Sequence, residues 1–330
     1  MGYCSEDWKS RIDPDAIYHI HPDEAASKVS PYRDYLYNQF TRQMGSLLES
    51  KKPRVENTRK GILNTRRLYR FRYDDQVFQK KTHVPTSDTT FLFLLDNSGS
   101  MSERFYPKMS GKDDGYSISC LDASNAVVSA FCKAVRTVLN NEIKVEVFYK
   151  STPQNPFNGF VKGYTPTLTR VFSNTKNDVD WDKILKVDTY APVMLTHPDG
   201  ERSNPSGSYT PEFLLLPALL QWMRKNITTK NVCLINMTDG SVQHTFVKMN
   251  SEEGLNYKSE GYATDEDTGS LRVKYLRGVP HTTLFLGASS WMRETLERVY
   301  GERNSKFVEN ETFVQDFFKL LNQMVDEYVQ

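Results

Sequence analysis

The chain has almost no net charge: 42 Lys and Arg stand against 41 Asp and Glu, leaving +1 over 330 residues. No global field therefore draws it to nucleic acid or to an anionic membrane. Cysteine is scarce as well. Cys4, Cys120, Cys132 and Cys233 are scattered, form no CxxC pair for zinc, and read as buried free thiols of a reducing compartment. No apolar stretch approaches the ~20 residues that a bilayer-spanning helix needs. The first residues, MGYCSEDWKSRID, lack the apolar segment of a secretory signal. Ser5 also falls one position short of the hydroxyl that N-myristoylation requires. These absences predict a soluble, cytoplasmic protein that recognises its partners by local surfaces.

Catalytic signatures are missing too. No GxxxxGK[ST] loop occurs, so any nucleotide hydrolysis has to come from a partner. There is no GxSxG elbow and no HExxH, and the six histidines are dispersed, with His19 and His21 the one close pair. An aspartyl-phosphatase start would need a second acid two residues after Asp96, where this chain has Ser98. The sequence predicts no enzyme.

What the chain does have is a core. Apolar residues make up 38%, with 18 Phe and 18 Tyr, enough for one large α/β domain and an attached smaller region. Apolar positions at helical spacing predict an amphipathic helix over 31–50, opened by Ser30 and Pro31. Helices are also predicted over 120–140, 179–187, 213–225 and 313–328, with Pro217 expected to kink the third or delay its start. Short apolar runs predict strands over 89–95, 143–149, 171–173, 231–237, 282–286 and 306–309. Strand and helix in alternation imply a doubly wound, mostly parallel sheet with helices on both faces, a Rossmann-like α/β class. We divide the chain into an N-terminal extension, 1–85, and an α/β domain, 86–330.

The most telling stretch is TTFLFLLDNSGSM, residues 89–101. An apolar strand ends abruptly in Asp96, Ser98 and Ser100, three oxygen donors at spacing two, with Gly99 easing the turn between the hydroxyls. A carboxylate with two hydroxyls suits Mg²⁺, Mn²⁺ or Ca²⁺ rather than zinc or copper. The end of a strand is also where open α/β sheets place ligands. Asp and Ser equally form turns and helix caps, so these three residues read either way. A second apolar run, NVCLINM over 231–237, ends in Thr238, Asp239 and Gly240 and brings a second carboxylate to a second strand end. Between the two lies Gly207-Ser208-Tyr209-Thr210-Pro211, where Thr210 either caps the next helix or turns its hydroxyl to a cation.

DNSGSM, a threonine before a proline in a small-residue loop, and TDG after a strand together resemble the metal-ion-dependent adhesion site of von Willebrand factor A domains. The resemblance covers about residues 86–330 and implies that fold, with Asp96, Ser98, Ser100, Thr210 and Asp239 as metal ligands. Asn97, Gly99, Met101, Ser208, Tyr209 and Gly240 would then form the partner-facing rim. Within the family, LLDNSGSM, the lead-in GILNTRRL over 61–68 and VFQKK over 77–81 are similar to the C-terminal part of CobT-type cobalt chelatase subunits. That likeness implies a MoxR- or CobS-type AAA+ ATPase partner, a protein ligand offering an acidic residue to the metal, and an adaptor role. CobT-like genes also occur in tailed phages, so it does not by itself imply a chelatase subunit, which stays as an alternative. A further alternative is single-stranded nucleic acid or RNA binding. Arg66, Arg67 and Arg70 interleave with Tyr69, Phe71 and Tyr73, a pattern that either stacks bases or forms a half-exposed strand, and the neutral charge favours the strand. The polar segments 103–115, 197–209 and 250–270 are expected to be partner-binding loops or solvated insertions.

Overall fold

The computed structural model describes residues 12–13, 23–49, 54–58, 62–63, 78–82, 88–109, 115–140, 143–151, 167–174, 212–239, 243–250, 254–262, 276, 278–287, 293–294, 296–297, 300–308 and 312–327. Its elements in chain order are β1 (Ile12–Asp13), α1 (Asp23–Glu49), β2 (Arg54–Thr58), β3 (Ile62–Leu63), β4 (Phe78–Thr82), β5 (Thr89–Asp96), β6 (Arg104–Phe105), β7 (Ile118–Ser119) and α2 (Cys120–Leu139). They continue with β8 (Lys144–Ser151), β9 (Thr167–Ser173), α3 (Glu212–Asn226), β10 (Asn231–Thr238), β11 (Gln243–Asn250), β12 (Gly254–Tyr262), β13 (His281–Phe285), β14 (Ser305–Phe307) and α4 (Phe313–Glu327). The predicted helix over 179–187 lies outside the described residues.

Seven strands form one sheet in the order β1-β9-β8-β5-β10-β13-β14. From β8 to β14 the pairings are all parallel, and β9 runs antiparallel to β8. β5 is central, and all eight of its residues are buried because both edges and both faces are covered. Its alternate residues point to opposite faces. Phe91, Phe93 and Leu95 join one core with α1, α2 and α4, while Leu92 and Leu94 join a second core with α3. Helices therefore cover both faces, and the sheet is doubly wound as the alternation predicts. Arg104–Phe105 pairs with Ile118–Ser119 as a small ribbon between the loop after β5 and α2.

The start of α2 is fixed by a capping box: Ser119 Oγ accepts from the Asp122 N–H at 3.0 Å, and Asp122 Oδ2 accepts from the Ser119 N–H at 3.3 Å. Asn140 closes the helix in the left-handed conformation, φ 47°. Phe131 on α2 is the hub of an aromatic cluster, with ring centroids 5.5 Å from Phe91, 5.3 Å from Phe93, 6.2 Å from Phe40 and 6.1 Å from Phe317.

Several expectations are corrected. Helix α1 begins at Asp23, eight residues before Pro31, which lies inside the helix. The buried stripe explains this: Val29, Tyr32, Leu36, Phe40 and Met44 continue one helical face through the proline. Burial of that face outweighs the one backbone hydrogen bond that proline removes. Helix α3 starts at Glu212, one residue before the predicted start and not later, and runs through Pro217. Segment 250–270 is not a plain loop. Gly254–Tyr262 pairs antiparallel with Gln243–Asn250 as a hairpin. β9 begins at Thr167, four residues earlier than predicted, because it pairs along the outer edge of β8.

Helix α1 comes from the region assigned to the extension, yet Phe40 is fully buried between Phe131, Phe317 and Phe318. Phe40→Ala is expected to cost about 3–5 kcal/mol in urea unfolding while the protein still melts in one transition. A separate early transition, or a cost below about 1 kcal/mol, would show that α1 is an independent appendage.

Candidate functional site

Strand order reverses beside β5. The chain passes from β5 through α2 to β8 on one side, and later enters β10 on the other. Such a switch point opens a crevice at the carboxyl ends of the two diverging strands. Asp96 ends β5, and Asp239 directly follows β10. The parallel register pairs Met237 with Leu95, which sets Thr238 beside Asp96.

Asp96 is fully buried, and its two carboxylate oxygens are held separately. Oδ1 accepts from the Ser98 N–H at 2.8 Å, and Oδ2 accepts from the Thr238 hydroxyl at 2.7 Å. The first contact is an Asx turn, so the turn reading of DNSGS holds for that one oxygen. The cap reading does not hold for the serines. Residues 99–102 form a single 3₁₀ turn that Ser98 precedes without a side-chain cap, and the following long helix is capped by Ser119. The Ser98 and Ser100 hydroxyls instead lie 2.9 Å apart. They hydrogen-bond each other, and the separation is also compatible with adjacent ligands of an octahedral ion, which lie ~3.0 Å apart at ~2.1 Å from the ion. Met101, fully buried in the core with α2, pins the loop from below.

The electrostatics mix signs. Lys150, at the end of β8, is fully buried and is paired with Asp96 across the β5–β8 register. Its Nζ donates to Asn236 Oδ1 at 2.9 Å. Asp96 is pushed up from 3.8 to about 6, first by burial, against which the Lys150 ammonium pulls it down; Asp239 pushes it up again, and the bonds from Thr238 and Ser98 lower it. The donor set of one carboxylate, two hydroxyls and the nearby Asp239 fits Mg²⁺, Mn²⁺ or Ca²⁺. Among the described residues no group of three or more His, Cys, Asp or Glu is placed to hold a metal. A hydroxyl-rich set is of another kind.

Of the five sequence-assigned ligands, Asp96, Ser98 and Ser100 are linked by hydrogen bonds in one loop, Asp239 follows the neighbouring strand and acts electrostatically on Asp96, and Thr210 lies outside the described residues. So do the rim residues Ser208, Tyr209 and Gly240, and Arg66, Arg67 and Arg70 of the basic segment. Asn97 and Met101 are both fully buried, and Met101 belongs to the core rather than to a rim. Sequence reading missed Lys150, Asn236 and Thr238. Lys150 closes the buried strand KVEVFYK, where a terminal lysine reads as solvent-exposed. Asn236 and Thr238, two apart on β10, share the face of Asp96, a periodicity visible once the strand register is known.

The residues so arranged make an α/β protein with an oxygen-donor cluster at its topological switch point. No protein-family model matches the chain, and no curated protein does. Among solved structures, it is similar to the pilus adhesin RrgA of Streptococcus pneumoniae, at 11% identity and TM-score 0.38, over 72% of this chain and 44% of that one. It thus spans less than half of that adhesin. It is also similar to the adhesive tip pilin GBS104 of Group B Streptococcus agalactiae, at 12% identity and TM-score 0.39, over 71% of this chain and 99% of that one. An uncharacterised membrane-spanning protein of Vibrio fischeri matches at 10% identity and TM-score 0.23, over 72% of this chain and 98% of that one. Likenesses of this size carry no inference about function. Among the described residues, no helix is long and apolar enough to cross a membrane.

The raised Asp96 carboxyl makes a signed prediction for the chelator-treated protein. Its folded pKa, about 6, exceeds the ordinary 3.8, so the folded state holds the proton more tightly across that window. Stability contributed by the protonated form is complete below about pH 4 and declines as pH rises to about 6. Measured as wild type minus Asp96→Asn in EDTA, unfolding free energy should fall by about 1–3 kcal/mol between those limits and then level off. A difference that rises or stays flat over that range would contradict the assigned environment.

Proposed function

We propose that the chain is a metal-dependent protein-interaction module of the von Willebrand factor A type, acting as an adaptor or substrate-recognition subunit for a MoxR- or CobS-type AAA+ ATPase. The observation that carries this reading is the placing of Asp96, Ser98 and Ser100 at the end of one strand, with Asp239 acting on Asp96 from the end of the next, at a point where the sheet's strand order reverses. In it, Asp96, Ser98, Ser100, Thr210 and Asp239 hold Mg²⁺, with Mn²⁺ or Ca²⁺ as substitutes. The cation supplies a Lewis-acidic position that a partner's Glu or Asp can complete.

The chain's own residues do the rest. The Asx turn at Asp96 and the 3₁₀ turn after Ser98 fix the hydroxyls before any ligand arrives, so little ordering cost remains at binding. Thr238 donates to Asp96 Oδ2 and keeps that carboxylate oriented between β5 and β10. Hydroxyl donors are neutral and few, so the cation keeps open coordination positions that an acidic side chain can fill. The role is docking: the sequence supplies no nucleophile–base motif, and ATP hydrolysis belongs to the partner ring. A reducing cytoplasm, of a bacterium or a phage-infected cell, accords with the burial of Cys120, Cys132 and Cys233 among the described residues.

Two measurements test this. Mg²⁺ at about 100 times its dissociation constant should stabilise the wild type by about 2.7 kcal/mol and leave Asp96→Ala unchanged. Capture of partners from native lysate should require Mg²⁺ and be lost in EDTA and in Ser98→Ala with Ser100→Ala. Equal capture with and without chelator would remove the reading.

A further inference from the structure

A fully buried lysine next to a cation site works against the cation. Lys150 sits opposite Asp96 in the β5–β8 register, and residues so paired project from the same face of the sheet. On that face Asn236 fixes its ammonium at 2.9 Å, and Thr238 holds Asp96 at 2.7 Å. All four residues are at most 4% exposed, so solvent screens the lysine little. A buried charge is costly unless it is paired, and Lys150 meets both the Asp96 carboxylate and the Asn236 amide oxygen on this face.

We infer that Lys150 is a built-in counter-ion that sets the charge of the site, so that metal binding and capture of a carboxylate ligand become mutually dependent. This rests on the metal-site reading above. Asp96 and Asp239 alone would neutralise a divalent ion. With Lys150 beside them the protein groups carry one net negative charge, and the loaded site carries one net positive charge. Metal alone is then held weakly, and an incoming Glu or Asp restores neutrality. Before loading, the same ammonium offsets the two carboxylates and lets the site stay formed when empty. Charge on Lys150 thus favours a carboxylate-bearing protein ligand over water or a neutral side chain, a specificity that the ligand set by itself does not supply.

Calorimetric titration of Mg²⁺ and Mn²⁺, without and with acetate as the carboxylate probe, tests the charge directly. Three variants separate the possibilities: Lys150→Gln keeps a donor for Asn236 without charge, Lys150→Met removes both, and Lys150→Arg keeps the charge. Wild type and Lys150→Arg should bind the metal weakly and bind it more tightly with acetate. Lys150→Gln should bind the metal alone at least about tenfold more tightly and lose the acetate dependence, because the removed repulsion acts at short range in a poorly screened site. A cooperative melt of Lys150→Gln in EDTA verifies its fold; should Lys150→Met not fold, the glutamine variant carries the comparison. If Lys150→Gln matches wild type in affinity and acetate response, the lysine is only a structural tether and the inference is overturned. If wild type binds no metal at all, indistinguishably from Asp96→Ala, the metal-site reading falls and this inference with it.

Discussion

One constraint organises the molecule: a carboxylate is buried at the end of a strand, directly after the apolar run Phe91 to Leu95. β5 lies between β8 and β10 with helices on both faces, so whatever residue ends it is carried into the interior. An unsolvated carboxylate there is tolerable only if neighbouring strands deliver partners. β10 delivers Thr238 and β8 delivers Lys150, each through parallel pairing with β5. A slip of one residue in either pairing would turn these side chains to the opposite face. The polar crevice therefore helps to fix the register of the three central strands, and the functional reading falls at the same point.

The apolar side of the sheet explains why a helix far upstream belongs to the fold. α2 is buried around nearly its whole circumference: Leu121, Ala123 and Val127 are as inaccessible as Phe131 and Val135. A helix covering a sheet on one side would leave its outer surface apolar and wet. α1 and α4 close that surface, with Phe40, Phe317 and Phe318 meeting Phe131 edge-on or tilted. Tyr116 reaches across to donate its hydroxyl to the Lys28 carbonyl, fastening the start of α1 to the segment just before α2. Sequence position is thus a poor guide to structural membership here, since the stripe from Val29 to Met44 was shaped for α2 and α4.

The strands that run buried on both faces were easy to read, because TTFLFLL and NVCLIN leave no polar alternation that could suggest anything else. Their ends were equally legible, since a sudden Asp and Ser after such a run have few uses. The start of α1 was less so. Pro31 after Ser30 is a strong local helix start, and tertiary burial of Val29 overrode it. The hairpin of β11 and β12 was hidden by its acidic, glycine-containing composition, because pairing between strands is non-local. The deepest omission was Lys150. Its role depends on which strand lies beside β5, and no spacing within one segment of sequence encodes that neighbour.

Why the site uses hydroxyls follows from the same charge accounting. A third or fourth carboxylate would bind a divalent ion more tightly, but buried beside Asp96 and Asp239 it would add repulsion to a group already pushed up to about 6. Ser98 and Ser100 give oxygen donors without that cost, and in the absence of an ion they satisfy each other at 2.9 Å. On the proposed reading, two carboxylates, two hydroxyls and an internal ammonium would make a site that stays formed when empty, grips a cation modestly and keeps positive charge once loaded. Tight structural metal sites have the opposite character, saturating the ion with protein charge. If the proposed reading holds, the arrangement around Asp96 suits an encounter that both metal and an acidic partner have to join better than it suits a permanently bound structural ion.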